Sequence, residues 1–281
     1  MQVPCLSARE KHAFTHGRVE LANNRVQSAS EALIIQPSTA PTRRSITKPE
    51  ENRMLSKNLF VWGDSIARGV MYDEMKERYT VCRETFDQAL KTLGVNVRNY
   101  AKPGCTSKAA LDILERSAAA DGAVAAIEFG GNDSDLIWKD VAETPDIFHE
   151  AVVTISDFKA SMGRMIEKTR ALGMHPIVVT PLPVVAERYL KWISRGLDGS
   201  AILKYLGSAQ YIYRWQERYA YAAMEAARDA GCPVFDLRSI FLRQRDFDSL
   251  MSLDGIHPNP AGYQLITDTV LNAWQQSPAA N

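Results

Sequence analysis

The sequence predicts an α/β fold in which a mostly parallel five-stranded sheet carries helices on both faces. Three observations predict it. Five short apolar runs recur along the chain, and most stop at glycine or proline. Stretches with helical spacing separate them, the alternation that gives parallel sheets with crossover helices. The 281 residues, 46% hydrophobic and 23% charged, suffice to bury one sizeable core.

The elements follow in order. Leu59-Phe60-Val61-Trp62 is a short apolar run closed by Gly63, as expected of a strand buried on both faces. A helical stretch is expected over 72–92, stopped by Gly94. Residues 95–100 alternate as a second strand, and Pro103-Gly104 turns the chain. An Ala- and Leu-rich helix is expected over 107–119, and the third strand is Ala123 to Phe129. A long helix over about 150–172 places Ile155, Phe158, Met162, Met165 and Ile166 on one face, with Gly173 as its stop. Pro176 to Thr180 is the fourth strand. A helix over about 209–230 precedes the fifth, Pro233 to Asp236. The last helix starts at Asn259, a good N-cap, with Pro260 suited to its first position.

Composition excludes several classes. The 33 basic and 33 acidic residues balance, which disfavours nucleic acid and anionic membranes as partners. No apolar stretch approaches the length of a membrane span. Cys5, Cys82, Cys105 and Cys232 are scattered without a CxxC pair, so neither a disulfide framework nor a zinc site is expected. Cys82 and Cys232 read as small buried hydrophobes, and no histidine is spare to activate Cys105.

Residues 1–57 differ from the rest, being rich in Pro, Ser, Thr, Asn and Arg, with Leu33-Ile34-Ile35 as their sole apolar run. They read as a poorly ordered extension preceding a domain over 58–281. Two other readings are Met54 as the natural start and an organelle transit peptide, the latter disfavoured by Glu10, Glu20 and Glu31. No secretory pattern is read there, so the expected location is cytoplasmic.

Three strings carry chemistry. In Asp254-Gly255-Ile256-His257-Pro258 a carboxylate stands three residues before the one histidine found beyond residue 175. That spacing lets Asp254 hold the Nδ1–H of His257 while Nε2 points at a nucleophile. A serine is the natural partner, because its hydroxyl attacks poorly until a base removes the proton. Gly63-Asp64-Ser65-Ile66 follows the first strand and Gly130-Gly131-Asn132-Asp133 the third, while Gly104 follows the second. Ligands of open α/β sheets bind beyond the carboxyl ends of strands, where all three loops lie. Acyl transfer also needs donors for a developing oxyanion. The Asn132 amide and the Gly104 and Ser65 backbone N–H groups can supply them. Alone, each string is a turn or a cap; jointly and in order they point to catalysis.

These residues resemble the SGNH hydrolases, also called the GDSL lipase/esterase family, over roughly 58–276. The resemblance implies a three-layer α/β/α, flavodoxin-like sandwich. It also implies Ser65 as nucleophile, His257 as base and Asp254 as third triad member, with Ser65, Gly104 and Asn132 forming the oxyanion hole. Ile66 stands where the family motif has leucine, which moves no catalytic atom. The Gly-x-Ser-x-Gly elbow is absent around Ser65, against the other common serine-hydrolase fold.

The segment 184–208 leaves the sheet at the same edge and reads as a lid or wall. Glu187, Arg188 and Trp192 are its candidate substrate contacts, with a helical hairpin of solvated charges as the plainer alternative. Asp133 and Asp135 lack the pattern of a calcium loop and are expected to be solvated or locally capping. The Asn132-Asp133-Ser134 sequon is discounted, because modification would block the oxyanion donor. The expected protein is therefore a serine esterase of small-molecule or glycan-linked acyl substrates, needing no metal or organic cofactor. A non-catalytic binding module on the same fold and an acyltransferase with the same triad are the alternatives.

Overall fold

The computed structural model describes residues 57–276 together with the backbone of a two-residue strand, Ile34–Ile35. In chain order its elements are β1 (Ile34–Ile35), β2 (Asn58–Trp62), α1 (Ser65–Arg68), β3 (Val70–Asp73), β4 (Arg78–Val81), α2 (Phe86–Thr92) and β5 (Asn96–Asn99). They continue with α3 (Ser107–Glu115), β6 (Val124–Glu128), α4 (Gly131–Ser134), α5 (Trp138–Glu143), α6 (Ile155–Ala171) and β7 (His175–Val179). The chain ends in α7 (Ala186–Ile193), α8 (Gly199–Leu206), α9 (Gln210–Asp229), β8 (Val234–Phe235), α10 (Leu237–Leu242) and α11 (Pro260–Gln276).

The main sheet runs β1-β8-β7-β6-β2-β5. Its last five members are parallel, as expected, and β1 adds a sixth, antiparallel strand through Ile34 opposite Phe235. Side chains two apart share a face. Phe60, Trp62, Ala125, Ile127 and Val178 therefore pack against α3, α6 and α9. Leu59, Val61, Val124, Val179 and Phe235 face α2, α10 and α11. Each large apolar side chain fully removed from water, such as Phe158, Met162 or Ile166, contributes roughly 1.5–3 kcal/mol before entropy is charged against it.

Several expectations change. Residues 72–92 are not one helix: β3 and β4 form an antiparallel hairpin with Tyr72 opposite Tyr79, and only α2 is helical. Aromatic and β-branched residues on both arms (Tyr72, Tyr79, Thr80, Val81) favour the pleated form over the helix formers at the tip. The expected 107–119 helix stops at Glu115, and the 150–172 helix starts at Ile155, where Thr154 caps it through the Asp157 N–H at 3.1 Å. Asn259 caps α11 as anticipated, accepting from the Ala261 and Gly262 N–H groups at 3.0 and 3.1 Å. Segment 184–208 folds as the helix pair α7 and α8, the second capped by Asp198. Cys232 is buried, and Cys82 is half-buried just beyond β4. The expected extension over 1–57 lies outside the described residues, save Ile34–Ile35 and Lys57. No described helix is long and apolar enough to cross a membrane.

Candidate active site

β2 delivers Ser65 to the carboxyl edge of the sheet. Asp64 caps the short α1 by accepting from the Ile66 N–H at 2.8 Å, which sets Ser65 at the first helical position. From the far end of the chain, a turn held by Asp254 brings up His257. Asp254 Oδ1 accepts the backbone N–H groups of Ile256 and His257, both at 3.1 Å. Its Oδ2 lies 2.6 Å from His257 Nδ1, and His257 Nε2 lies 2.8 Å from Ser65 Oγ. Asp254 is fully buried. Burial alone would raise its carboxyl; the His257 hydrogen bond and charge, with the two backbone donors, outweigh that and hold it below the usual carboxylate range.

The other loops converge on the same place. Gly104, with φ +74°, borders one open cleft together with Ser65, Asn132 and His257. Among the described residues neither the Ser65 nor the Gly104 N–H donates to a protein acceptor. Asn132 is engaged: its Nδ2 donates to Asp64 Oδ2 at 3.0 Å and to the Cys105 carbonyl at 3.2 Å. Asp133 is buried, not solvated, and accepts from the Ser107 N–H and hydroxyl at 2.9 and 2.6 Å. Burial raises its carboxyl to about 6, against the lowering effect of Ser107. Asp135 is likewise committed, to the Trp138 indole and the Tyr189 hydroxyl at 2.7 and 2.9 Å. Among the described residues no group of His, Cys, Asp and Glu is arranged to hold a metal ion. The Cys105 thiol is buried, and burial followed by the charges of Asp64 and Asp133 pushes it up, away from the reactive thiolate.

Two spaces open at Ser65. One, the more enclosed of the two, is a pocket of about 90 Å³, walled by Leu136, Trp138, Leu182, Tyr189, Leu206 and Trp215 among others. The second is the open cleft of about 460 Å³, bordered by Val70, Tyr79, Pro103 and Gly104. Segment 184–208 thus supplies Val184, Tyr189 and Leu206 to the cavity wall. Glu187, Arg188 and Trp192, its expected substrate contacts, border neither space. Glu187 accepts from Gln210, Arg188 donates to the Asp248 and Met251 carbonyls, and Trp192 packs edge-on against Tyr72 and Tyr79 beneath the Arg195 guanidinium.

Residues the sequence did not point to complete the surroundings. Tyr79, on the unforeseen hairpin, lies edge-to-face on the His257 ring at 5.3 Å, and burial, then the Asp254 charge, raises its phenol. Glu128 borders the more enclosed pocket from the end of β6. Tyr211 and Trp215 reach it from the first turns of α9, where nothing in their helical spacing separates them from core.

Fold and site together define a parallel-sheet α/β protein with serine, histidine and aspartate aligned at the strand ends. A family model described as the GDSL-like Lipase/Acylhydrolase family matches residues 61–265, and the chain belongs to that family. The isoamyl acetate-hydrolyzing esterase 1 homolog of Mus musculus is 28% identical over 145 residues, covering 50% of this chain and 51% of that protein. Its Rattus norvegicus counterpart is 29% identical over 160 residues, 55% and 57% of the two chains. The chain therefore spans about half the length of the curated relatives it matches. Among solved structures, LAE5 from the metagenome of Lake Arreo superposes with a TM-score of 0.54 at 18% identity, covering 81% of this chain and 98% of that one. The acetylxylan esterase Axe2 of Geobacillus stearothermophilus gives 0.51 at 16% identity, covering 78% and 94%. At such identities these structures establish the shared fold.

Proposed function

We propose that the protein is a serine esterase that cleaves small carboxylic esters through an acyl-enzyme. The observation that carries this reading is the unbroken line from Asp254 Oδ2 to His257 Nδ1 at 2.6 Å and from Nε2 to Ser65 Oγ at 2.8 Å, at the mouth of a largely apolar pocket. Ser65 Oγ attacks the carbonyl carbon while its proton passes to His257 Nε2. The tetrahedral oxyanion faces the free N–H groups of Ser65 and Gly104. It takes one Asn132 N–H in place of the Cys105 carbonyl, the longer of that amide's two bonds. Collapse expels the alcohol with the proton from His257, and water activated by His257 then releases the acid and restores Ser65.

The acyl portion occupies the more enclosed pocket and the alcohol the open cleft, because the leaving group needs both the His257 proton and a way out. The small cavity and the ester named in the relatives' descriptions support short acyl groups. Segment 184–208 acts as a fixed wall. The test is reaction with a fluorophosphonate followed by intact-mass measurement, beside hydrolysis of p-nitrophenyl acetate and isoamyl acetate. A single adduct and ester hydrolysis in wild type, both lost in Ser65→Ala, are expected. An unlabelled, inactive folded wild type would overturn the reading.

A further inference from the structure

Beneath Ser65 lie two carboxyls that this mechanism does not use. Asp64 and Glu128 are 2% and 5% exposed and face each other within hydrogen-bonding reach. Two glycines let the backbone close over them. A β-carbon at Gly63 would sit 3.2 Å from Glu128 Oε2, and one at Gly131 would sit 3.2 Å from Asp64 Oδ2. Among the described residues no lysine or arginine pairs with either acid. Their titratable surroundings are Asp133 and Tyr263 near both, with His257 and Cys105 near Asp64. Beyond Glu128 lies a third, partly open pocket of about 140 Å³ between the sheet and α11, lined almost wholly by apolar side chains.

Two buried carboxyls in contact cannot both be ionised, so the pair holds a proton. The hydrogen bonds locate it. Asp64 accepts the Ile66 N–H at 2.8 Å and the Asn132 amide at 3.0 Å, whereas Glu128 takes a single backbone N–H, from Asp64, and its Oε2 has no donor. The better-solvated anion is Asp64. Burial, then the Asp64 charge, raises the Glu128 carboxyl well above the usual range.

We propose that Glu128 is a positioning residue: as a neutral acid it donates to Asp64, keeping Asp64 an acceptor that fixes which way the Asn132 amide faces. This rests on the esterase reading above. Were Asp64 itself to carry the proton, it would donate, and Asn132 would gain by turning its oxygen toward it and its Nδ2 away. The oxyanion would then lose an amide donor, while the shape of the acyl cavity, which both carboxyls border, stays the same.

The test compares full-length wild type with Glu128→Gln, which keeps a neutral donor, and Glu128→Leu, which removes it. The infrared difference spectrum of wild type minus Glu128→Gln at neutral pH should contain a protonated-carboxyl stretch. On p-nitrophenyl acetate, Glu128→Gln should keep kcat within about threefold, and Glu128→Leu should lose tenfold or more with KM nearly unchanged. Absence of the infrared band, or equal loss in both variants, overturns the proposal. If Glu128→Leu does not fold, the band and the Glu128→Gln kinetics decide alone. A wild type that shows the band and hydrolyses no ester overturns the esterase reading; an active wild type without it overturns the Glu128 assignment alone.

Discussion

The Val185 N–H donates to the Gly255 carbonyl at 2.8 Å, and a β-carbon at Gly255 would come within 2.6 Å of the Val185 carbonyl oxygen. The turn that aligns Asp254 with His257 is therefore seated on the start of α7. With φ at +79°, Gly255 also holds a backbone conformation that costs any other residue energy. Gly255→Ala should lower stability by about 2 kcal/mol or more, since neither the strain nor the backbone clash is easily relieved. It should also lower kcat more than it changes KM. Urea unfolding and steady-state kinetics on the same samples check both.

Arg188 braces that loop from the same first turn of α7, donating to the Asp248 and Met251 carbonyls at 2.8 and 3.1 Å. Arg188→Met keeps most of the stem and removes both bonds, so about 1–2 kcal/mol of stability should go. kcat should fall while KM for p-nitrophenyl acetate stays put. A rise in KM with kcat intact would instead mark Arg188 as a substrate contact.

Removal of the Ser65 hydroxyl or the His257 imidazole should each cost about 10⁴-fold or more in kcat. The double variant should be scarcely worse than either single one, because neither group works without the other. Asp254→Asn should lower kcat by about 10⁴-fold through the wrong imidazole tautomer. Single-turnover rates with p-nitrophenyl acetate give these numbers without interference from product release.

How much of this was legible in the sequence depends on range. The parallel strands and their glycine-ended loops are local signals, and so Ser65, Gly104 and Asn132 could be placed at one sheet edge, while His257 was legible through its spacing from Asp254. The β3–β4 hairpin was not legible. Glu74, Met75, Lys76 and Glu77 are helix formers, and the turn is made at Glu77 with φ +48°, with no glycine to announce it. Tyr79 was lost with it. Asp133 and Asp135 read as solvated or locally capping; Asp135 does hold the nearby Trp138 indole, but Ser107 and Tyr189, the partners that could not be foreseen, lie 26 and 54 residues away. The charged face of α7 read as a place for substrate, whereas Arg188 and Trp192 are turned against the hairpin and the histidine loop.

The cavity beside Ser65 measures about 90 Å³, less than the roughly 150 Å³ that accommodates benzene. Activity on p-nitrophenyl esters should therefore peak at acyl chains of about two to four carbons and fall steeply by octanoate. Leu206, 5% exposed, walls the cavity. Leu206→Ala should move the optimum to longer chains while costing about 2–4 kcal/mol of stability. An unchanged chain-length profile in that variant would place the acyl group elsewhere.

Asp133 carries a stability signature of its own. Its carboxyl is raised by burial from 3.8 to about 6, so the folded state holds its proton more tightly than the unfolded chain does. The stability this gives is present below about pH 4 and is lost as pH rises through 6, by up to about 3 kcal/mol for a shift of that size. Asp133→Asn removes the titration. The melting temperature of Asp133→Asn minus that of wild type should thus be more positive at pH 7.5 than at pH 4.5.

The two-residue strand β1 has a consequence for solubility. β8 is itself two residues long, and Ile34–Ile35 lies antiparallel along its outer side. Without that cover, the Val234–Phe235 backbone would present bare amides and carbonyls beside apolar side chains, a template on which a second chain can add. A shortened protein beginning at Met54 would keep every part of the proposed active site. It would also leave that margin bare, and its risk is self-association and not loss of chemistry.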